Sequence, residues 1–482
     1  MNRWTLTCIT CGGVLAAITS HEVFADSGGN QHWVELGTTA PITPLTGGHF
    51  GGAMDEYGGL LLIGAPYQGT DPFEPVGPGF AEIGTRQGDS RYQLIAPNIE
   101  NGDEFGGRVS IAPNLDSVTQ SPLAFVSAPR HANDASEVLA GAVYSFAPDA
   151  TGGYSWQQTI TPSDSSAAQM FGVSVDFDGH TLAVGAHRDS TNAWAGGCAY
   201  LYTIGPDGMA TNEVRIDPDL PHDSQYFGFS ISIDGDQLAV GAFADSSVKF
   251  LGGAVYLFSR QSDGTWIQTD RIEPDELLDA DYFSTAVTLK DDVLVVSSSN
   301  RRIGGSLSVG RVYVFRKIHE QWTQTQTIDP PIVAPNVYWG ISISMQNDLL
   351  AIGGNGWVNN GIQTGAVSVL QDAGDDTYEL VQTVLAGGIG EQGGFGVTVA
   401  LAGEDLLVGA PEYASPDGGT VHTFGPTCLG DLDGDHTAAV TDMISIIGHW
   451  NETGIMVQDL DQNFEVGIGD LLLAMAGWGA CP

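Results

Sequence analysis

The sequence predicts an all-β body: a seven-bladed β-propeller of four-stranded antiparallel blades, closed by a strand from the N-terminus. A small α-helical domain follows it. Three observations carry this prediction. An aromatic–small dipeptide recurs at Phe50-Gly51, Phe105-Gly106, Phe171-Gly172, Phe227-Gly228, Phe283-Ser284, Trp339-Gly340 and Phe395-Gly396, at spacings of 55, 66, 56, 56, 56 and 56 residues. A period of this length is the mark of a repeat architecture. Glycine is abundant, 65 of 482 residues, while only 15% of residues are charged, which favours tight turns and short strands over helices. An acidic pattern of twelve residues occurs twice near the C-terminus, 28 residues apart, each time ahead of an apolar stretch.

The N-terminus reads as a secretory signal, residues 1–25. Arg3 supplies a positive start, Trp4 to Ser20 an apolar stretch too short for a comfortable membrane span, and Val23-Phe24-Ala25 a cleavage site that leaves Asp26 first. The chain is then expected to be secreted or held at the cell surface, without a membrane span. Its net charge is −42, and the cut removes one basic and one acidic residue, so the mature value is unchanged. Such a surface repels phosphate backbones and excludes nucleic acid as a partner.

Residues 32–424 form the repeat region. Each repeat offers four apolar segments. The first follows the aromatic, as in Phe171 to Phe177 or Phe227 to Ile233, with the alternation of a half-buried strand. A short turn such as Asp178-Gly179 or Asp234-Gly235 leads to the second, Leu182-Ala-Val-Gly-Ala and its equivalents. The third is Ala142 to Phe146, Ala254 to Phe258 or Arg311 to Phe315. The fourth starts on an aromatic and ends in proline, as in Trp266 to Pro274 and Trp322 to Pro330. Four strands repeated seven times make a propeller. The longer second repeat is assigned to loops at Asn114–Ser121 and His131–Leu139. The seventh repeat has only three strands, ending at Phe424. Residues 32–42 supply an orphan whose Pro41 precedes Phe50 by nine residues, as Pro162, Pro218, Pro274 and Pro330 precede their aromatics. That register assigns the N-terminal strand to the last blade and covers the sheet edges of an open ring.

As a set, the Phe-Gly, Val-Gly-Ala and Gly-Ala-Val-Tyr-Leu-Phe elements resemble the FG-GAP repeat family, best known from integrin α-subunit heads. Members of that family often carry long calcium loops between the first two strands. Here the loop shrinks to Asp176-Phe-Asp178-Gly179-His180 or Asp234-Gly-Asp236, too short to wrap a cation, and these acids are expected to form Asx turns.

The tail, residues 428–482, carries the clearest chemistry. In the first loop Asp431, Asp433, Asp435 and Asp442 hold positions 1, 3, 5 and 12, with the carbonyl of Thr437 at 7. In the second, Asp459, Asp461, Asn463 and Asp470 hold the same positions, with Glu465 at 7. Oxygen ligands at this spacing suit a hard cation, so two calcium ions are expected. Helices are expected over Met443–Trp450 and Leu471–Trp478, each ending in a tryptophan that helps form one small core. Cys428 and Cys481 bracket the two units and would pair in an oxidising compartment, while Cys198 reads as a buried hydrophobe. The duplicated loop–helix pattern resembles a dockerin domain. Position 6 is His436 and Phe464 instead of glycine, and Val440-Thr441 and Ile468-Gly469 replace the usual recognition pair, which argues against a standard cohesin as the partner.

No catalytic constellation is evident. The histidines are scattered, and His187 stands where sibling repeats have Pro66 or Pro411, which suggests a turn residue. Asp279 and Asp281 are expected to cap turns. The sequence therefore points to a non-enzymatic binding or adhesion module that contacts an unknown protein or glycan, with the tail serving for docking or retention. A carbohydrate-active enzyme carrying a dockerin, and calcium loops with a purely structural role, are the alternatives.

Overall fold

The computed structural model describes residues 31–43, 48–66, 77–86, 90–117, 120–133, 138–359, 361–385, 393–411, 418–428, 431–432, 437–451, 458–460, 466–476 and 479–480. The signal-peptide reading lies outside them. The described residues contain seven four-stranded antiparallel sheets, the blades of a propeller. Blades 1 to 6 follow one another along the chain. In blade 3, for example, Ser174–Phe177, Thr181–Ala186, Cys198–Ile204 and Ala210–Ile216 pair in sequence order. The first strands of neighbouring blades meet around a closed circuit of seven and so line the axis. The expected loops of the second repeat stand between Val109–Pro113 and Pro122–Ala128 and between the latter and Ala142–Pro148.

Blade 7 joins both ends of the propeller. Thr398–Ala402, Asp405–Ala410 and Thr420–Cys428 are its first three strands, and Gln31–Thr39 pairs antiparallel with Thr420–Cys428 as the fourth. Trp33 fixes this strand from within. Its ring is 1% exposed, among Val367, Val384, Phe395 and Phe424. Its N–H donates to Gln382 Oε1 at 2.6 Å, and its carbonyl accepts from Gln382 Nε2 at 3.1 Å, which ties it to blade 6.

The repeat motif is explained at the blade interfaces. Each core cluster of the propeller lies between two adjacent blades, and the repeat aromatic sits inside it. Phe105 and Phe227 make edge contacts with Tyr144 and Tyr256, at centroid distances of 5.5 and 5.4 Å. The backbone of that aromatic bridges the glycine that opens the third strand of the preceding blade, as in Gly141 with Phe171 and Gly310 with Trp339. These glycines have φ of +89° and +96°, and a Cβ would stand 2.1 and 2.0 Å from the aromatic's carbonyl oxygen. Only glycine fits there. Gly419 meets Phe50 in the same way and closes the ring.

A second contact recurs with changing chemistry. The residue two before the aromatic faces the turn after the second strand. The pair is Asp103–His131 at 2.7 Å in blade 2 and Gln169–Asp189 at 3.0 Å in blade 3. In blade 4, Gln225 and Asp245 share the Tyr256 hydroxyl. Asp281 and Arg301 are ion-paired in blade 5, and Val337 and Trp357 share an apolar cluster in blade 6. Each pair is complementary, which identifies a structural clasp. Asp281 also accepts the Leu278 N–H and Asp279 the Phe250 N–H, so both acids hold turns.

Candidate functional site

Three places on the molecule gather chemistry: the axial channel, its mouth, and the C-terminal loops. In the channel, the side chain five residues after the repeat aromatic reaches the next blade in blades 1, 2, 3, 4 and 6. Asp55 Oδ2 accepts the Ile111 N–H at 2.7 Å, Ser110 Oγ the Phe177 N–H at 3.1 Å, and Asp176 Oδ2 the Ile233 N–H at 2.8 Å. Ser232 and Ser344 continue the belt through Leu289 and Leu401. Two carboxylates thus share a narrow lumen. Burial, with a further contribution from Asp176, raises Asp55 to about 7; burial raises Asp176 to about 6, with Asp178 adding to it. The expectation of Asx turns holds for Asp178, whose Oδ1 accepts the His180 and Thr181 N–H groups. It fails for Asp176, because its position on the first strand aims it at the neighbouring blade instead of its own turn.

The mouth is built from three repeat positions. These are the residue before the aromatic, the residue two after it, and the residue after the second strand. Blades 7, 1, 2 and 3 place His49, Glu104 and Met170, then Val397, Gly52, Gly107 and Val173, then Pro411, Pro66 and Pro129 around a cavity of about 280 Å³, which Arg108 also lines. Blade 4 puts aromatic rings at the same positions. Tyr226 and Phe243 stack at 5.4 Å, Phe229 lies 4.4 Å from Phe243, and Tyr282 of blade 5 continues the row at 5.9 Å from Phe243. All four are half-exposed. The residues before the aromatic, from His49 through Tyr338, hold φ between +52° and +60°, a region in which a non-glycine residue is strained.

His187 stands in a turn, as its sequence position suggested, and it also packs. It is 9% exposed, with its ring 5.7 Å from both Tyr226 and Phe229. Its Nδ1 is buried without a hydrogen-bond partner. Burial, with Arg188 and Arg108 nearby, pushes it down to about 3, so the imidazole is neutral; burial likewise lowers His49 to about 4.

Outside the mouth, the same face carries an apolar rim. Three residues before the bridging glycines of blades 2 to 6 stand Val138, Trp194, Phe250, Leu307 and Ile362, between 47% and 66% exposed. Their loops are held by the next blade, as when the Ser224 N–H donates to the Trp194 carbonyl at 2.7 Å.

In the tail, the helices are α1 (Val440–Gly448) and α2 (Ile468–Ala476). Both begin three residues earlier than expected. The reason is the position-12 acid, which sits in the first turn and accepts the N–H of the residue before the helix. Asp442 Oδ2 binds the Ala439 N–H at 2.7 Å and Asp470 Oδ2 the Gly467 N–H at 2.6 Å. Asp442 Oδ1 also accepts the Leu432 N–H, which brings the two ends of the first loop together. Asp431, Asp442, Asp459 and Asp470 are all buried. Thr437 lies in a two-residue strand paired with Gly479–Ala480. Asp433, Asp435, Asp461, Asn463 and Glu465 lie outside the described residues, as does Cys481, the proposed partner of Cys428. The small core consists of Ile446, Leu460, Val466 and Ala474. Trp450 falls beyond the end of α1 and is 39% exposed, so it does not form the expected core. Cys198 is a free buried thiol.

Sequence comparison bears on the propeller. Residues 154–202, 212–258 and 266–315 match the model of the FG-GAP repeat. The chain carries FG-GAP repeats. Each matched segment starts on the fourth strand of one blade and ends on the third strand of the next. The FG-GAP sequence unit is therefore offset by one strand from the structural blade, the same offset that leaves Gln31–Thr39 to complete blade 7. No curated protein matches the chain.

Sequence reasoning missed Arg108 and the role of His187. The signal was present in the repeats themselves. Arg108 stands where the other blades have Ala53, Ser174, Ser230, Ala286, Ser342 and Thr398. Four of those positions are hydroxyls that donate to a backbone carbonyl of the next blade, as Ser174 does to Gly228 and Thr398 to Gly51.

Proposed function

We propose that the protein is a secreted, non-enzymatic binding module. Its propeller contacts a protein or glycan through the face that holds the 2–3 loops, and its dockerin-like tail binds two calcium ions and serves for docking or retention. The observation that carries this reading is the apolar rim. Five consecutive blades present a large apolar side chain to solvent at one repeat position, where nothing in blade packing asks for it, and this repeated display supports an interaction surface on that face.

The tail's donor chemistry fits calcium. Residues 428–482 hold nine acidic residues and no Lys or Arg, and four of those carboxylates are buried. Burying carboxylates is costly, and a bound cation would offset that cost. Asp431, Asp442, Asp459 and Asp470, together with the residues of each loop, would hold the ions. Calcium when bound would neutralise the loops and fix the start of each helix. The two helices also expose equivalent apolar triads, Val440, Ile444 and Ile447 on α1 and Ile468, Leu472 and Met475 on α2, which supports a docking role.

Two measurements test this. Calorimetric titration with calcium should give heat from the wild type and none from Asp431→Ala/Asp459→Ala. Trp194→Ser/Phe250→Ser should lose the partners that the wild type retains while keeping its melting temperature. Retention of every partner by that folded variant would remove the rim from the proposal.

A further inference from the structure

Three neighbouring rim loops each carry a cation beside their apolar residue: Arg188 with Trp194 in blade 3, Lys249 with Phe250 in blade 4, and Arg302 with Leu307 in blade 5. All three cations are exposed, and none makes an ion pair among the described residues. That is unexpected in a chain with 16 Lys and Arg against 58 Asp and Glu. The local acids are engaged elsewhere. Asp189 pairs with Arg215 at 2.7 Å and Asp245 with Arg271 at 3.0 Å, both arginines standing on fourth strands. Asp281 is held by Arg301. Asp223 accepts the Trp194 N–H at 2.9 Å and Asp279 the Phe250 N–H at 3.1 Å.

The same contacts hold the apolar residues out. The carbonyls of Trp194, Phe250 and Leu307 accept from the N–H groups of Ser224, Ala280 and Asn336 at 2.7, 2.7 and 2.9 Å, so each loop is tied to the next blade through its backbone. Leu220 and Leu278, in the loops that lead into blades 4 and 5, add side chains 71% and 47% exposed. This face therefore offers apolar side chains interleaved with unpaired cations, and its complement is an acidic surface with apolar anchors.

Such a surface lies on the same chain. Residues 428–482 hold nine Asp and Glu and no Lys or Arg. Val440, Ile444 and Ile447 on α1, and Ile468, Leu472 and Met475 on α2, are each spaced i, i+4 and i+7, which makes one stripe on each helix. The stripes are between 54% and 62% exposed, and the rim is exposed as well, so the tail of a chain does not cover its own rim. The connection explains why. Thr420–Cys428 starts at the rim face and ends nine residues on at the opposite face of blade 7, roughly 27 Å away at about 3.3 Å per residue.

We propose that copies of this chain associate head to tail, with the apolar helix stripes of one acidic tail seated on the rim of blades 3 to 5 of the next copy. This rests on the reading of rim and tail as docking surfaces, and it names the partner of each. The contact joins two different surfaces, so every assembly keeps one free rim and one free tail and grows without a built-in end. Its charged component makes it sensitive to salt.

The test is sedimentation velocity of the full chain from about 1 to about 200 μM, the range in which weak protein contacts populate. The weight-average mass should rise with concentration past that of a dimer, and raising the salt from about 0.05 to about 0.5 M should weaken association by roughly tenfold. Lys249→Glu/Phe250→Ser alters the rim and Ile444→Ser/Leu472→Ser the tail, with melting curves to show that both fold. Each variant alone should stay monomeric. Their equimolar mixture should form a dimer and stop there, because one intact rim and one intact tail remain. A wild type that is monomeric throughout overturns the proposal; if its rim still retains outside partners that Trp194→Ser/Phe250→Ser loses, the binding-module reading stands. A ceiling at the dimer in the wild type, or no dimer from the mixed folded variants, also overturns it, since contact between like surfaces behaves that way. Growth of the folded rim variant past the monomer would overturn it as well.

Discussion

Asp55→Asn should stabilise the propeller most at pH 8 and by less than half as much at pH 5. Asp55 lies on the channel belt, where its carboxyl accepts the Ile111 N–H at 2.7 Å and the Glu56 N–H at 2.8 Å. Burial, with Asp176 adding to it, raises it to about 7 from the ordinary 3.8. A carboxyl raised in the folded state binds its proton there after the unfolded chain has lost it. Stability therefore falls as the pH rises from about 4 through about 7, and is level above. At 1.36 kcal/mol per unit the ceiling of that loss is roughly 4 kcal/mol. The side chain is half-buried and lies in a lumen that water can enter, so about 2 kcal/mol is the working figure. The amide keeps one good acceptor, as the neutral acid does, and cannot ionise. At pH 5 the unfolded chain has already lost its proton, so the amide gains a little over a third of the full amount, whereas at pH 8 it avoids the whole cost. With an unfolding entropy of about 0.8 kcal/mol per kelvin for roughly 400 residues, the gain is about 2–3 °C. Differential scanning calorimetry at both pH values reads it directly. Equal shifts at pH 5 and pH 8, or a loss at pH 8, would show that the carboxyl is not held neutral by the channel.

Other predictions concern closure, the interfaces and the tail. Trp33→Ala removes a fully buried ring from the closing strand and should cost about 3–5 kcal/mol, with protease sensitivity appearing first at residues 31–39. Gly310→Ala forces a Cβ to 2.0 Å from the Trp339 carbonyl oxygen and should cost about 3 kcal/mol or more, seen in the denaturation midpoint. Arg301→Met leaves Asp281 buried without its cation and should cost about 3–5 kcal/mol, whereas Asp281→Val/Arg301→Trp, which installs the blade 6 pair, should recover most of that loss. Calcium at about 100 times its dissociation constant should raise the stability of the tail by about 2.7 kcal/mol, and a chelator should abolish the rise in a thermal melt.

What could be read from the sequence was whatever repeated. The aromatic–glycine pair and the Gly-Ala-Val-Tyr element recur because they meet at every blade interface, Gly141 against Phe171 and Gly310 against Trp339, where backbone contact admits no Cβ. The missing fourth strand of the last repeat and the Pro41 register pointed to the pairing of Gln31–Thr39 with Thr420–Cys428. Helix starts in the tail were misjudged by one turn because a position-12 acid was treated as the end of a loop, when Asp442 and Asp470 are also the third residues of their helices.

The channel and mouth were hidden for a different reason. Their residues are neighbours only across blades, so Asp55 and Asp176 are separated by a whole repeat in sequence and share one lumen in space. A repeat fold makes such places legible in one way: by departure from the pattern. A residue that keeps the pattern serves the blade, since the same contact recurs around the ring. The changing pairs Asp103–His131, Gln169–Asp189 and Asp281–Arg301 vary in chemistry yet preserve complementarity, so they too serve the blade. Arg108 and His187 do neither. Arg108 puts a guanidinium where four siblings place an inter-blade hydroxyl, and His187 buries an unsatisfied nitrogen where proline suffices in three. Arg108 instead donates to the Gly107 carbonyl at 2.7 Å, and His187 packs its ring against Tyr226 and Phe229 of the next blade.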